Sequence, residues 1–318
     1  MNISIVRGPF LNKFEMQSHE PLTKHHNLIA YHTNDRFYEI EDIELPKKEL
    51  KSLEGLTGSP LSKPLRLFLH ALGYYHYMVG LEKELGCAHI VNTVETFNAF
   101  SYQAIEAKKK YGTKVVVSVW ENLPFNHERL PLCRPIKSVV RKNADLFIAV
   151  TEQARNALIL EGAPKERIVV IPAGVDTTKF TSHQKDPLYL SRLGLSKDDF
   201  VILFIGRLTW EKGVYDLIRG YKKLVQDQGL DNKRIKLAIV GKGPAETSII
   251  RMIHEMKVSA TVKLAGSYSY SEMNKIHNLA DVLVLPSIPT RYWQEQFGMV
   301  LVEAMACGRP IVATSCGS

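Results

Sequence analysis

Short, almost uninterrupted runs of aliphatic and β-branched residues recur along this chain and limit its fold more than any other feature. They read ISIV, LIAYHT, HIVNTV, KVVVSVW, DLFIAV and RIVVIP, then FVILFIG, KLAIVG, TVKLAG, DVLVLP and PIVAT. A strand with one wet face alternates apolar and polar residues; these runs do not, so both faces must be covered, as in parallel sheets sandwiched by helices. Longer helix-like stretches separate them, which predicts an α/β chain of doubly wound, Rossmann-like units. With 318 residues, 45% of them hydrophobic, there is material for two cores. The rhythm breaks over residues 172–199, where Pro172, Gly174, Asp176 and a polar run precede FVILFIG. A boundary near 176 gives domains 1–175 and 176–318.

The formal net charge of +8 favours an anionic ligand or surface. Nucleic acid is disfavoured, because no binding module accompanies the basic excess. Cys87, Cys133, Cys307 and Cys316 form no C-x-x-C pair and have no clustered histidines, so neither a zinc site nor a disulfide framework is expected. A reduced, cytoplasmic setting fits that cysteine usage. No apolar run approaches the roughly 18 residues of a membrane span, so any membrane contact is expected to be peripheral.

Ligands of open α/β sheets bind beyond the carboxyl ends of the strands. In the second half those ends carry GRLTWEKG, GKGP, GSYSYSE and PSIPTRYWQEQFG. In the first of these, Gly206 permits a tight strand exit and Gly213 a close backbone approach at a helix start. Arg207 and Lys212 then lie near free helix N–H groups that already favour anions, an arrangement suited to a diphosphate; the alternative is two surface cations on a loop. The spacing matches neither G-x-x-x-x-G-K-[ST] nor G-x-G-x-x-G, which argues against a P-loop NTPase and a nicotinamide enzyme. Lys242 in GKGP reads as a surface residue on a strand-exit turn, and Ser269 with Glu272 as a structural capping box.

In EQFGMVLVEAM, Glu295 and Glu303 stand eight positions apart. On one continuous helix they would diverge by roughly 80°. It is more economical to leave Glu295 in the loop and begin the helix near Phe297 or Gly298. Glu303 then falls in the second turn, and the amides of Phe297, Gly298, Met299 and Val300 lie beside it. A carboxylate accepts two hydroxyl hydrogen bonds well, so Glu303 suits a ribose diol, and Glu295 suits sugar hydroxyls or developing positive charge. The alternatives are a helix-dipole acid for Glu295 and an exposed helix residue for Glu303.

FIGRLTWEKG, DVLVLPS and EQFGMVLVEAMACGRPIVAT resemble the C-terminal half of the retaining glycosyltransferases of family 4 (group 1). The E-x7-E pair together with the Arg207/Lys212 loop is the specific part, and the resemblance is strongest over residues 168–318. It implies a GT-B fold, two Rossmann-like domains facing a central cleft, with a nucleotide-diphosphate sugar bound mostly by the C-terminal domain and no bound metal or other cofactor. Arg207 and Lys212 would hold the diphosphate and stabilise the leaving nucleotide. Glu303 would bind ribose, Glu295 would face the donor sugar, and amides near Gly298 would contact sugar or phosphate oxygens. The acceptor would be a glycan, a lipid-linked molecule or a small molecule. A non-catalytic nucleotide-sugar-binding protein and a nucleotide-sugar epimerase are the competing readings.

The N-terminal half departs from the family pattern. The loop after its first strand, VRGPFLN, offers only Gly8 as a donor-side glycine, and the expected histidine is replaced by Trp120, Glu121 and Asn122. Glu121 is the candidate polar group facing the donor sugar, against a loop-anchoring role. The eleven histidines have no metal-ligand spacing and read as surface or packed residues. Residues 133–145 place Arg134, Lys137 and Arg141 opposite Ile136, Val139 and Val140, a basic amphipathic helix that could touch anionic lipid or be a solvated face. Residues 65–81, apolar and aromatic, are expected to be a core helix rather than the wall of an acceptor groove. The family continues past GRPIVATSCGS with another acidic helix motif, so the sequence is expected to be truncated at its C-terminus.

Overall fold

The computed structural model describes residues 1–53, 62–227 and 234–317. The chain divides into two compact units, Met1–Gly174 and Val175–Gly317.

Among its described residues the first unit holds seven strands: β1 (Asn2–Gly8), β2 (Asn27–Thr33), β3 (Lys47–Leu50), β4 (Ile90–Val94), β5 (Lys114–Val119), β6 (Leu146–Ala149) and β7 (Ile168–Val170). They lie in the order β3-β2-β1-β4-β5-β6-β7, with every pairing parallel. The order reverses between β1 and β4, so the loops leaving those two strands diverge to opposite faces and open a crevice.

The second unit holds β8 (Phe200–Ile205), β9 (Ile235–Val240), β10 (Val262–Leu264), β11 (Val282–Leu285) and β12 (Ile311–Ala313). Their order, again parallel, is β10-β9-β8-β11-β12, which puts the reversal between β8 and β11. Uninterrupted apolar strands follow from cores on both faces. Val201, Leu203 and Ile205 of β8 join one buried cluster with Ala238 and Val240. Ile202 and Phe204 join the opposite cluster with Leu237 and Ile239. Alternate side chains thus point to opposite sides of the sheet, and all of them are buried.

One strand has no apolar run to announce it. β3 reads Lys-Lys-Glu-Leu and pairs only with β2, at the sheet edge. An edge strand faces solvent, and lysines there block pairing with another chain.

Two helices differ from expectation. Over residues 65–81 the chain forms a helix from Ser62 to Leu72 on which Leu67 is 68% and Phe68 61% exposed. Met78 and Leu81, just beyond it, are fully buried, so among the described side chains the core residues of this stretch lie in the following loop and turn. The helix Cys133–Asn143 does not offer a basic face to solvent or lipid. Lys137 is almost wholly buried, with Nζ 2.5 Å from Glu161 and 3.5 Å from Glu128, and Arg141 bonds both acids at 3.0 and 3.1 Å. Only Arg134 of the three cations is exposed. Among the described residues no helix is long and apolar enough to cross a membrane.

Candidate functional site

The two loops that leave β8 and β11 carry Arg207 and Lys212 on one side and Glu295 on the other. Their strands are neighbours at the reversal of the second sheet, where a crevice must form. Close backbone contact locks the loops together. Gly213 has φ +71°, and a Cβ placed there would lie 1.8 Å from the Pro286 carbonyl oxygen. Only glycine fits that approach. The Ile288 N–H donates to the Glu211 carbonyl at 2.7 Å, stitching the second loop to the first.

Lys212 Nζ donates to Glu295 Oε2 at 2.7 Å, and Ser287 Oγ donates to the same oxygen at 2.8 Å. The Lys212 ammonium also lies 4.9 Å from the centre of the Trp293 ring, within cation–π range. Both charged side chains are largely shielded, at 21% and 14% exposure, so their attraction is less screened than that of a surface pair. Gly317 packs against the Glu295 carbonyl, where a Cβ would come within 1.8 Å. Arg207 is exposed and its side chain has no partner among the described residues, which leaves a guanidinium available at the rim. Two exits from the preceding strands are equally tight: a Cβ at Gly241 would meet the Gly206 carbonyl at 1.9 Å.

The helix following Glu295 runs Met299–Ala306, with Gly298 at its N-cap in the left-handed region (φ 76°). It starts just past Phe297, and the N–H groups of Met299 and Val300 belong to its first turn. Glu303 falls in the second turn, but it is no exposed helix residue: it is only 3% exposed. Tyr270 Oη donates to its Oε1 at 2.9 Å, and His277 Nε2 lies 3.1 Å from its Oε2. His277 is fully buried. Reading the histidines by metal spacing overlooked it, since its partner is 26 residues away and nothing in IHNLAD marks the contact. The neighbouring turn is held by Glu272, which accepts from the Ser269 N–H at 3.1 Å and Ser269 Oγ at 2.9 Å.

In the first unit Gly8 ends β1 with φ +55° beside the Phe100 ring. Glu121 accepts from the Leu123 N–H at 2.9 Å and from Asn126 Nδ2 at 2.8 Å, the loop-anchoring arrangement. A second carboxyl there escaped sequence reasoning. Glu95 follows β4 in the left-handed region (φ 60°), an uncommon conformation for a side chain of that size. Its Oε1 accepts the N–H groups of Trp120 and Glu121 at 2.9 and 3.1 Å. Burial, and then the charge of Glu121, push its pKa up to about 8, so it holds its proton at neutral pH. Among the described residues no group of three or more His, Cys, Asp or Glu could hold a metal ion.

Two family models match the chain. Glycosyltransferase Family 4 matches residues 31–179, and Glycosyl transferases group 1 matches residues 187–318. A D-inositol 3-phosphate glycosyltransferase of Kineococcus radiotolerans is 31% identical over 181 residues, 55% of this chain and 40% of that protein. An uncharacterized glycosyltransferase of Methanocaldococcus jannaschii is 32% identical over 157 residues, 48% of this chain and 38% of the relative. The matched region is thus only about two fifths of the length of these curated relatives. Among solved structures, Anabaena HepE in complex with UDP superposes with a TM-score of 0.74 at 18% identity, covering 100% of this chain and 81% of that one. At that identity the likeness establishes the fold, which is GT-B.

Proposed function

The chain belongs to the group 1 glycosyltransferases, with an amino-terminal domain of the Glycosyltransferase Family 4 type, and from that premise we propose that it moves a sugar from a nucleotide-diphosphate donor to an acceptor hydroxyl with retained anomeric configuration. The bond between the anomeric carbon and the diphosphate breaks, a bond to the acceptor oxygen forms on the same face, and the acceptor hydroxyl passes its proton to the departing diphosphate. The observation that carries this reading is the meeting of Lys212 and Glu295 at 2.7 Å where the second sheet reverses. A cation and a carboxylate side by side suit a ligand whose leaving group gains negative charge while its sugar carbon gains positive charge.

In this reading Arg207 and Lys212 engage the diphosphate. Arg207 brings a planar fork from the exposed rim, and Lys212 a compact charge already steered by Glu295 and Trp293. Glu295 faces the donor sugar, and the first-turn amides after Gly298 meet sugar or phosphate oxygens. Glu303 accepts the ribose hydroxyls. The acceptor class is a glycan, a lipid-linked molecule or a small molecule, with the protein working in the cytoplasm or at the inner membrane face. HepE, the GT-B neighbour, is solved with UDP, which makes uridine nucleotides the first donors to try.

The test is a thermal-shift and calorimetric screen of UDP, GDP, ADP and their sugar conjugates against the protein and Lys212→Ala. Stabilisation by one nucleotide series, weakened in the variant, is the expected result. Silence from every nucleotide with folded protein removes the reading.

A further inference from the structure

Glu303 is a buried carboxylate with one neighbour on each oxygen, Tyr270 on Oε1 and His277 on Oε2. An ionised carboxylate has roughly four acceptor positions, two per oxygen. Among the described residues Tyr270 and His277 occupy one on each, which leaves one on each. Two parallel acceptors are what the two O–H groups of a vicinal diol require.

The direction of the His277 contact follows from its surroundings. A carboxylate can only accept, so Nε2 carries the hydrogen. The other ring nitrogen, Nδ1, is buried and has no hydrogen-bond partner among the described residues, so a hydrogen there would be left unpaired. The neutral Nε2–H tautomer gives the carboxylate its donor and leaves only a lone pair, not an N–H, at Nδ1. Phe180 packs edge-on against the rings of both Tyr270 and His277, with centroids 5.6 and 6.0 Å away, and fixes the two donors in place. Phe180 is itself 97% buried, so this support is part of the core.

We propose that His277 is a positioning residue for the nucleotide: as a neutral Nε2–H donor it turns the Glu303 carboxylate so that its remaining acceptors meet the ribose diol, without itself touching the ligand. The inference rests on the ribose reading of Glu303 given above. It predicts that the imidazole governs discrimination for the diol rather than nucleotide binding in general.

The experiment measures dissociation constants by calorimetry for whichever of UDP, GDP and ADP binds the full chain, and for its 2′,3′-dideoxy form, with wild type, His277→Gln, His277→Asn and His277→Leu. The Gln amide reaches the position of Nε2; the Asn amide stops at the position of Nδ1. Wild type should prefer the natural nucleotide by about tenfold or more, one hydrogen bond to a charged group. His277→Gln should keep that preference, whereas His277→Asn and His277→Leu should lose it while binding the dideoxy form as wild type does. Should His277→Leu fail to fold, His277→Asn decides the question. Full discrimination in a folded Asn or Leu variant overturns the role of His277. A wild type that treats both nucleotides alike instead overturns the ribose reading of Glu303, and the inference with it.

Discussion

Lys212 and Glu295, separated by 83 residues in the chain, meet at 2.7 Å because β8 and β11 are adjacent strands whose exit loops are bonded to each other. Ser287 Oγ donates to the same Glu295 oxygen, and the pair is mostly out of water. Removing Lys212 should therefore lower turnover more than donor affinity, since leaving-group charge grows towards the transition state. A loss of about 100-fold in kcat with a much smaller change in donor Kd is expected for Lys212→Ala. In a double-mutant cycle with Glu295→Gln the two losses should not add, with a coupling of about 0.5–3 kcal/mol. Unchanged turnover in Lys212→Ala removes the residue from the reaction.

Glu303→Ala should weaken nucleotide binding by about 1.5–3 kcal/mol, the range for hydrogen bonds to a charged group. The substitution also removes the acceptor of the fully buried His277 Nε2–H, so a drop in Tm should accompany it. Calorimetry and a melting curve on the same variant separate the two effects. Wild-type affinity in the folded variant would show that Glu303 is purely structural.

Glu95 predicts a particular dependence of stability on pH. Burial raises its folded-state pKa to about 8, while an exposed carboxyl titrates near 4.5. Between those values the folded protein holds a proton on Glu95 that the unfolded chain has released, so the contribution of Glu95 to stability must fall as pH rises through that window and level off above it. The slope reaches at most about 1.4 kcal/mol per pH unit for one proton. Glu95→Gln keeps an acceptor for the Trp120 and Glu121 N–H groups but cannot ionise. Relative to wild type it should gain stability from pH 5 to 8, measured by denaturant unfolding at each pH. Parallel curves for the two proteins would assign the proton elsewhere.

The glycine contacts predict a ranking. Gly213→Ala places a Cβ 1.8 Å from the Pro286 carbonyl in a left-handed backbone, so the two site loops must separate. A loss of at least about 2 kcal/mol is expected. Gly298→Ala meets side-chain carbons rather than backbone, Leu301 at 3.1 Å and Leu285 at 3.6 Å, and its cost should be nearer the roughly 1 kcal/mol of left-handed strain alone. Equal Tm values for the two variants would contradict the geometry.

Lys137 offers the converse test of a buried ion pair. Lys137→Ala leaves Glu161, 4% exposed, short of its closest cation, and should cost about 3–5 kcal/mol. The same substitution should leave binding to anionic vesicles unchanged, because Lys137 faces protein and not solvent. A vesicle-binding defect without a stability defect would restore the lipid-facing reading of this helix.

Most strands were legible because burial on both sheet faces leaves a local imprint: consecutive apolar side chains need no knowledge of their partners. The lysine-rich β3 lacked that imprint, since an edge strand is defined by the neighbour it pairs with and by the water on its other side. The loops after β8 and β11 were legible as candidate loops because glycine at a tight strand exit and cations near a helix start are also local signals. By itself, then, the sequence determined the doubly wound α/β architecture and the group of residues worth examining in its second half. Tertiary structure alone decided which of them meet. The Lys212–Glu295 pair, the burial of Lys137 and Arg141 against Glu128 and Glu161, and the enclosure of Glu303 by Tyr270 and His277 join residues from 9 to 83 positions apart. A side chain's periodicity says which face of its own element it occupies, but whether that face meets a carboxylate, a ring or water depends on strand order and packing.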